Sequence, residues 1–137
     1  MQITIHLVGL EKLTAKLGGA TALSTLMAPM KRAQELIRQR MADYPPPPPA
    51  STYVRTGDLG RSWGAQSPIG GVGGLMGVIA SSDVSYAGFV ERDPTLGDPH
   101  QAWMHVGRWQ TDLQVVNESA EAIGQDFTAA IQAELNR

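Results

Sequence analysis

The chain has 137 residues, 42% of them hydrophobic and 18% charged, which fits one globular domain with a real core and argues against general disorder. The formal net charge of −2 predicts no general affinity for nucleic acid, because phosphate-binding domains usually carry a basic excess. There is no cysteine, no signal-peptide pattern and no apolar run near the roughly 18 residues of a membrane span, so we expect a protein made in the cytoplasm without disulfides or thiolate sites.

The N-terminal third predicts a strand followed by two helices. Residues 2–8 alternate between apolar and polar side chains, which is the period of a half-buried strand. Leucines at helical spacing predict a short amphipathic helix over 10–17. Apolar residues then recur at intervals of three and four over 21–42 and predict a long helix. Pro29 removes a hydrogen bond inside it, so we expect this helix to start late or irregularly.

A run of prolines follows the long helix. It consists of Pro45, Pro46, Pro47, Pro48 and Pro49. Such a run forms a stiff polyproline II rod of about 3.1 Å per residue and excludes a helix or a central strand. We treat 44–58 as a proline-rich arm. It is either a rigid spacer or an arm that reaches a neighbouring subunit; a ligand for an SH3-type domain is a weaker alternative, because no basic residue flanks the run closely.

The middle of the chain predicts three strands, at about 62–68, 74–81 and 84–91. Glycines around 70–74 mark the first connection, and a polar turn marks the second. Two antiparallel hairpins are the economical arrangement of these strands. Together with 2–8 they predict an antiparallel sheet of about four strands.

The last part of the chain predicts a loop and a helix. Proline, glycine and aspartate indicate a loop over 92–105. From 109 to 135 the apolar residues step by three and four, so a long C-terminal helix, or two nearly collinear ones, should pack against the sheet. The predicted fold is therefore α+β, one domain over 1–137, with a sheet against two long helices and an extended polyproline loop.

Candidate reactive groups are few. His100 and His105 are five residues apart, which is not the spacing of three or four that a helical metal site uses, although they could converge with Asp93 or Asp98. A surface or packing role is the simpler interpretation of both histidines. Glu91 lies near Asp93 at a predicted strand end, where acidic side chains are usually solvated. We therefore predict no catalytic, cofactor-binding or metal-binding residues.

Two other patterns have simple structural interpretations. The glycine-rich stretch 70–74 lacks the lysine and hydroxyl residue of a P-loop and favours a flexible hairpin connection. Trp63, Trp103 and Trp109 are more typical of core or interface anchors than of a base-stacking platform, since no basic patch lies beside them.

Short motifs follow one another in a recognisable order along nearly the whole chain. Gly9-Leu10 with Leu13 opens the long helix, and the proline run comes next. Arg55-Thr56-Gly57-Asp58-Leu59 with Ser62 precedes the strands, and Tyr86-Ala87 with Val90-Glu91 precedes the last helix. This order resembles the tail-completion, or neck, proteins of long-tailed phages, the minor tail protein Z-like family. Residues 92–95 and 101–104 depart from the family pattern.

The resemblance implies a non-enzymatic structural protein of the virion neck. Such a protein would form a homo-oligomeric ring, hexameric or dodecameric, between the head-side connector and the tail terminator or tail tube. DNA would pass through its lumen without sequence-specific binding, and neither a cofactor nor a membrane is implied. Alternatives are the tail terminator that caps the tail tube, a small prophage-encoded hydrolase that uses His100 and His105, and a peptide-binding adaptor.

The signature from Tyr53 to Trp63 indicates a structural corner, an interface, or both. In this interpretation Thr56 caps a helical turn, Gly57 adopts a conformation closed to other residues and Leu59 is buried, while two arginines remain free to pair with carboxylates or a neighbouring subunit. The predicted interface residues are Pro45, Pro46, Pro47, Pro48, Pro49, Tyr53, Arg55, Thr56, Gly57, Leu59, Arg61, Trp63 and Trp103.

Overall fold

The computed structural model describes residues 1–71, 74–81 and 84–137. Its four strands are β1 (Gln2–Val8), β2 (Trp63–Ala65), β3 (Ile69–Gly71) and β4 (Gly74–Ser81). β4 is central and pairs antiparallel with all three others: β1 runs along one of its edges, and β2 and β3 follow each other along the opposite edge. The predicted four-stranded antiparallel sheet is confirmed.

Among the described residues, five α-helices accompany the sheet: α1 (Glu11–Leu17), α2 (Gly19–Ala42), α3 (Asp58–Ser62), α4 (Ala87–Glu91) and α5 (Asp112–Leu135). α2 and α5 have 24 residues each and are the two long helices that the apolar periodicity predicts. They pack side by side, and α2 also lies directly on the sheet. None of the helices in the described part of the chain has a stretch long and apolar enough to cross a membrane.

The core lies between one face of the sheet and these two helices. The register aligns Ile3 with Ile79 and Leu7 with Leu75, so the apolar set of β1 and that of β4 face the helices together. The core side chains of this layer are Ile3, Leu26, Met30, Ala33, Ile37, Met41, Leu75, Ile79, Val115 and Phe127. The hydrophobic effect on these residues therefore decides which face of β1 points inward.

Gly77 and Gln34 show how closely α2 approaches β4. A Cβ atom on Gly77 would lie 2.6 Å from the sulfur of Met30, so only glycine fits at this crossing. The buried Gln34 side chain donates from Nε2 to the carbonyl oxygens of Val78 (3.0 Å) and Gln66 (2.8 Å). It thus satisfies backbone groups in the gap between β2 and β3, where strand pairing is interrupted.

The expectation of a late or irregular start for the long helix is wrong. α2 begins at Gly19 and runs without interruption through the buried Pro29. The missing hydrogen bond and the ring clash cost about 3 kcal/mol in a helix interior. Burial of the flanking Leu26 and Met30 against the sheet and α5 offsets that cost, because each fully buried side chain contributes roughly 1.5–3 kcal/mol.

Two of the predicted strands are wrong in position or type. Residues 84–91 form a turn and the helix α4, not a strand; Ala87 and Val90, three residues apart, bury themselves on one side of it. The strand predicted over 62–68 is shorter, because α3 occupies Ser62 and Pro68 cannot donate to a strand ladder. β3 takes the fourth place in the sheet, and β3 and β4 form the one hairpin in the described residues.

The loop and the C-terminal helix differ from expectation in detail. The loop predicted over 92–105 contains a 3₁₀ turn at Pro94–Leu96 and continues to the start of α5. The Thr111 hydroxyl accepts a hydrogen bond from Gln114 N–H while the Gln114 side chain accepts one from Thr111 N–H, a capping box that fixes the start of α5. Trp109 therefore precedes the helix, and α5 is a single helix.

Candidate interaction site

The root of the proline-rich arm is held by a cluster of rings and one guanidinium. Tyr44 and Trp109 have their ring centroids 5.1 Å apart. The Arg55 guanidinium carbon lies 5.6 Å from the Tyr44 centroid and 5.2 Å from that of Trp109, within reach of a cation–π attraction to both. Arg55 Nη1 also donates to the carbonyl oxygen of Pro45. Both ends of the arm are thereby fixed to the loop before α5.

A groove of about 430 Å³ opens beside this root. Its aromatic lining consists of Tyr44, Tyr53, Tyr86, Phe89 and Trp109, with Arg55 and His105 as its basic residues. We call it the aromatic groove. Tyr53, Tyr86 and Phe89 remain exposed at its rim, and Tyr53 is 76% exposed. Exposed large apolar side chains grouped around a concave surface are typical of an interaction site.

The two signature segments meet under this groove. Leu59 of α3 packs against Ala87 and Val90 of α4, forming a small cluster separate from the main core. Ser62 and Ser81 share a 2.6 Å hydrogen bond nearby. Leu59 is therefore a neighbour in the fold of two residues that lie 28 and 31 positions further along the chain.

Glu91 and Trp63 form a buried polar pair beside this cluster. Trp63 Nε1 donates to Glu91 Oε2 at 2.9 Å, and Glu91 is only 2% exposed. Burial, opposed by the Trp63 hydrogen bond and assisted by the negative charge of Asp112, raises the pKa of Glu91 to about 8. Glu91 is therefore mostly protonated at neutral pH. The expectation that it is solvated is wrong, because α4 carries it into the interior.

Several predicted interface residues lie inside the fold. Leu59 and Trp63 are each 3% exposed, so they support the surface and do not belong to it. Gly57 has a φ of +80°, in the left-handed region expected of it. Gly57 is itself the N-cap of α3, so the cap predicted on Thr56 is displaced by one residue; the Thr56 hydroxyl accepts a long 3.4 Å bond from Asp58 N–H.

The two arginines of the signature have partners within the chain. Arg61 donates to Asp58 Oδ1 at 2.6 Å, a pairing with a carboxylate of the kind expected. Arg55 is not free, since it is held by Pro45 and the rings. The expectation failed for Arg55 because its aromatic partners come from distant parts of the chain.

Other predicted interface residues are at the surface. Pro46, Pro47, Pro48 and Pro49 are exposed and lie outside any helix or strand, whereas Pro45 is partly covered at the root. Trp103 is 84% exposed on the turn that precedes Trp109, and it does not line the aromatic groove. The surface candidates therefore divide between the arm, the groove rim and a separate apolar turn.

The histidines do not form a common site. His100 Nδ1 lies 2.6 Å from Asp98 Oδ1 at the surface. His105 stands edge-on to Trp109, with ring centroids 6.2 Å apart, and burial and Arg108 lower its pKa. Within residues 1–71, 74–81 and 84–137, no three His, Asp or Glu side chains converge as a metal site would require.

The glycine-rich stretch joins β3 to β4. Gly71 pairs with Gly74 at the end of that hairpin, as the prediction of a hairpin connection requires. The predicted flexibility of this connection concerns residues 72 and 73, which lie outside the described residues, as do residues 82 and 83 of the second predicted connection.

The groove contains residues that sequence reasoning missed. Tyr44 and Phe89 line it, and the buried Gln101 holds its wall by donating from Nε2 to the carbonyl oxygens of Val90 (2.8 Å) and Trp109 (3.0 Å). An aromatic residue directly before a proline run was a usable signal for Tyr44. Gln101 carried no signal, because its partners are separated from it by a turn.

Comparison with family models, with curated proteins and with solved structures finds no match to this chain.

Proposed function

We propose that this chain is a non-enzymatic structural protein of the neck of a long-tailed phage, which completes the tail and joins it to the head. It acts as a homo-oligomeric ring, hexameric or dodecameric, in the virion after synthesis in the host cytoplasm. Its partners are the head-side connector and the tail terminator or tail tube. DNA passes through the lumen without sequence readout, in keeping with a net charge of −2.

The convergence of the two signature segments is the observation that carries this proposal. Arg55 to Ser62 and Tyr86 to Glu91 hold most of the motif residues that resemble the neck family. They pack against each other through Leu59, Ala87 and Val90 and end in one groove. Segments that pack against each other can present one continuous surface, which is what a shared interface requires.

Exposed aromatic side chains support an assembly role for this surface. Tyr53 and Phe89 at the groove rim and Trp103 on the neighbouring turn are all more than half exposed. Each aromatic residue can bury roughly 150–250 Å². Because they are already partly covered, these three side chains supply only part of the roughly 800 Å² per partner of a stable interface. In a closed ring such contacts repeat at every subunit, so weak contacts act together.

Electron microscopy of particles made without this protein tests the proposal. We expect filled heads and finished tails that fail to join, and wild-type protein supplied in trans should restore joining. Normal infectious particles would contradict the proposal. Overlong, unterminated tails would favour the tail terminator instead.

Two variants supplied in trans sharpen that experiment. Phe89→Ser removes a half-exposed side chain from the groove rim and should fail to restore joining. Ile69→Ser removes a similarly exposed side chain from β3, away from the groove, and should restore it (the exposed fractions are 52% and 58%). If both variants restore joining equally, the groove is not required for head–tail joining.

His100→Ala addresses the hydrolase alternative. Its side chain is half exposed and bonded to Asp98 at the surface, so its loss should leave both fold and joining intact. Failure of this variant to join heads and tails would count against a purely structural role.

A further inference from the structure

We propose that the aromatic groove of one copy binds the proline run, Pro45–Pro49, of the next copy in the ring. This inference rests on the ring of the proposed function and adds its linkage: each subunit gives one arm and receives one. The evidence lies in the chemistry of the groove, the stiffness of the run, and the charge and size of the two surfaces.

The groove has the composition that recognises polyproline II segments. Such segments dock in grooves lined by aromatic side chains, where flat rings pack against the proline rings and polar tips bond the carbonyl oxygens. Here Tyr44 and Trp109 form one wall, with their planes tilted by 59°, and Tyr86 and Phe89 stand at the rim. The volume of about 430 Å³ lies within the range of roughly 300–1,000 Å³ for ligand pockets.

The proline run is presented as a ligand. Four of its five residues are exposed, and it lies outside any helix or strand. A polyproline II segment loses little conformational entropy on binding, because it is already extended and rigid. Ser51 N–H donates to Pro48 C=O at 3.1 Å, so the chain turns back at the tip, and the run projects as one side of a tongue.

The run cannot occupy the groove of its own chain. Tyr44, which directly precedes the run, is part of the groove wall, and Arg55 holds the carbonyl of Pro45 there. To enter the groove the run would have to reverse direction within two or three residues, which stiff consecutive prolines do not permit. A second copy presents the same run without this constraint.

The absence of charge on the proline run is compatible with its binding in the aromatic groove. Residues 45–54 contain no charged side chain, so docking leaves no charge buried without a partner. The free carbonyl oxygens of a polyproline segment are strong acceptors, and the groove offers the remaining N–H groups of Arg55 and the hydroxyls of Tyr53 and Tyr86. An acidic peptide would gain less, because the Arg55 charge is already engaged by two rings.

The size of the proline run predicts that one contact between two copies is weak and that many such contacts in a ring are effective together. A run of five prolines is about 15 Å long and covers less than the roughly 800 Å² per partner of a stable complex. Because arm and groove are different surfaces, the contact is head-to-tail, and head-to-tail contacts form a ring when the rotation between neighbouring copies closes. Each subunit then makes two such contacts, and ring closure multiplies their effect.

A peptide experiment tests the pairing directly. The host is the full-length chain with Pro46, Pro47 and Pro48 replaced by glycine, which keeps the groove free of native arms. The probe is a capped peptide of residues 45–52, and binding is followed by the change in tryptophan fluorescence in a Trp103→Phe background, where Trp109 in the groove and the buried Trp63 remain. We expect saturable binding. Glycine at positions 46 and 48 of the peptide should weaken it about tenfold or more, since the stiffness is lost.

The groove variant and its control complete this experiment. Tyr86→Ala with Phe89→Ala in the host should weaken peptide binding about tenfold or more, as expected when aromatic anchors are truncated. Ile69→Ala, an equally exposed apolar site on β3, should leave it unchanged. Absence of binding, or equal binding to the groove variant, would overturn the inference.

A mixing experiment tests the linkage in the assembled protein. Here the arm variant has Pro46, Pro47 and Pro48 replaced by glycine, and the groove variant has Tyr86→Ala with Phe89→Ala and keeps the native proline run. Each should fail to oligomerise in analytical ultracentrifugation at concentrations where the wild type does. A mixture should give one-to-one pairs that grow no further, because one intact arm meets one intact groove. Wild-type oligomers from either variant alone, or no pairs in the mixture, would mean that another segment or another protein fills the groove.

These outcomes are distinct from failure of the proposed function. Peptide binding and mixing are measured on the purified chain, whereas neck function is measured by whether heads and tails join. If the arm variant supports the formation of joined particles, the proposed arm–groove contact is contradicted and the proposed neck function is not. If normal particles form in the complete absence of the chain, the proposed neck function is contradicted, whereas binding of the arm by the groove of the purified chain is not.

Discussion

The molecule has two apolar regions that differ in how much of their surface is covered. Between the sheet and the helices α2 and α5, side chains such as Leu26, Ile37 and Ile79 are at most 1% exposed. Beside α3 and α4, a small cluster around Leu59 supports a groove whose rim residues, such as Phe89, remain half exposed. The first region is a finished core. The second region is packed on the side that faces the interior and open on the side that faces solvent.

This difference separates stability from binding. Burial of apolar area stabilises the fold in proportion to the area removed from water, so most of the stability should come from the first region. In the second region, the cation–π cluster, the Gln101 bonds and the Trp63–Glu91 pair hold exposed rings in fixed positions. A rigid set of aromatic rings is what a binding surface needs, since less entropy is lost when a partner docks.

Ile37→Ala should have the largest effect on stability. Ile37 is buried among Ile3, Met41 and Ile79, and removal of its side chain leaves a cavity in a region that cannot collapse. We expect a loss of about 2–5 kcal/mol in the free energy of unfolding, measured by urea denaturation. Val8→Ala, at a site that is 75% exposed, is the control and should change little. A loss below about 1 kcal/mol would place the main core elsewhere.

Glu91→Gln should remove a dependence of stability on pH. The pKa of Glu91 is about 8 in the fold and 4.5 as the ordinary value, so between these values the native state binds more protons. Its contribution is therefore complete at low pH and lost as the pH rises through 8. Below about pH 6.5 the lowered pKa of His105 makes the stability fall as the pH falls, which is opposite to the effect of Glu91. The range pH 6.5–8 therefore shows the contribution of Glu91 without that of His105.

Over that window the wild type should lose about 2 kcal/mol, at up to about 1.4 kcal/mol per pH unit, as followed by urea denaturation. The glutamine variant keeps an oxygen that can accept from Trp63 and should give a much flatter profile. Glu121→Gln, at an exposed position on α5, is the control and should keep the wild-type profile. Equal slopes in all three proteins would contradict the buried, protonated state of Glu91.

Arg55→Ala should loosen the root of the arm with a moderate loss of stability. The guanidinium contacts two rings and the Pro45 carbonyl, and cation–π contacts contribute roughly 0.5–2 kcal/mol. We expect a loss of about 1–2 kcal/mol and faster cleavage after Tyr53 by chymotrypsin. Arg55→Lys keeps the charge but loses the planar stacking. Its stability and its cleavage rate should lie between those of the wild type and of Arg55→Ala.

Arg61→Ala is the matched control for that variant. Its ion pair with Asp58 is exposed on both sides, and such surface pairs contribute little to stability because water screens them. Chymotrypsin should cleave it at the wild-type rate. If both arginine variants behave alike, the ring cluster does not hold the arm.

Phe89→Ala should have the smallest effect on stability. Its side chain is half exposed at the groove rim, and substitutions at such sites usually stay within about 0.5 kcal/mol. The measurement is again urea denaturation, beside Ile69→Ala as the control. A loss comparable to that of Ile37→Ala would show that the groove is part of the core and would remove the contrast between the two regions.

Local patterns predicted the elements whose periodicity reflects a single buried face. β1, β4, α2 and α5 each pack one side against the core, so apolar residues recur at two or at three and four. The prediction failed over 84–91, where the only buried hydrophobic side chains are Ala87 and Val90 and the segment is too short for periodicity to distinguish a helix from a strand. It also failed at Pro29, where tertiary packing outweighs the local cost.

The groove could be predicted only in part. Tyr53 and Arg55 were chosen as interface residues from the signature motif, and both line it. Phe89 and Trp109 were not chosen, because nothing local shows that α4 and the turn before α5 come to the same place. Trp63 was chosen and proved to be buried, since an isolated tryptophan in a sequence does not reveal which side of the chain is covered.

The sequence by itself determined an α+β chain with two long amphipathic helices, the strands β1 and β4 and a stiff proline run, because each of these elements shows in a pattern of near neighbours. Only the tertiary structure decided that residues near 44, 55, 89 and 109 form one groove, that Glu91 is buried and protonated, and that Arg55 is held between two rings. Such contacts join distant segments, and their geometry follows from how the helices and sheet pack.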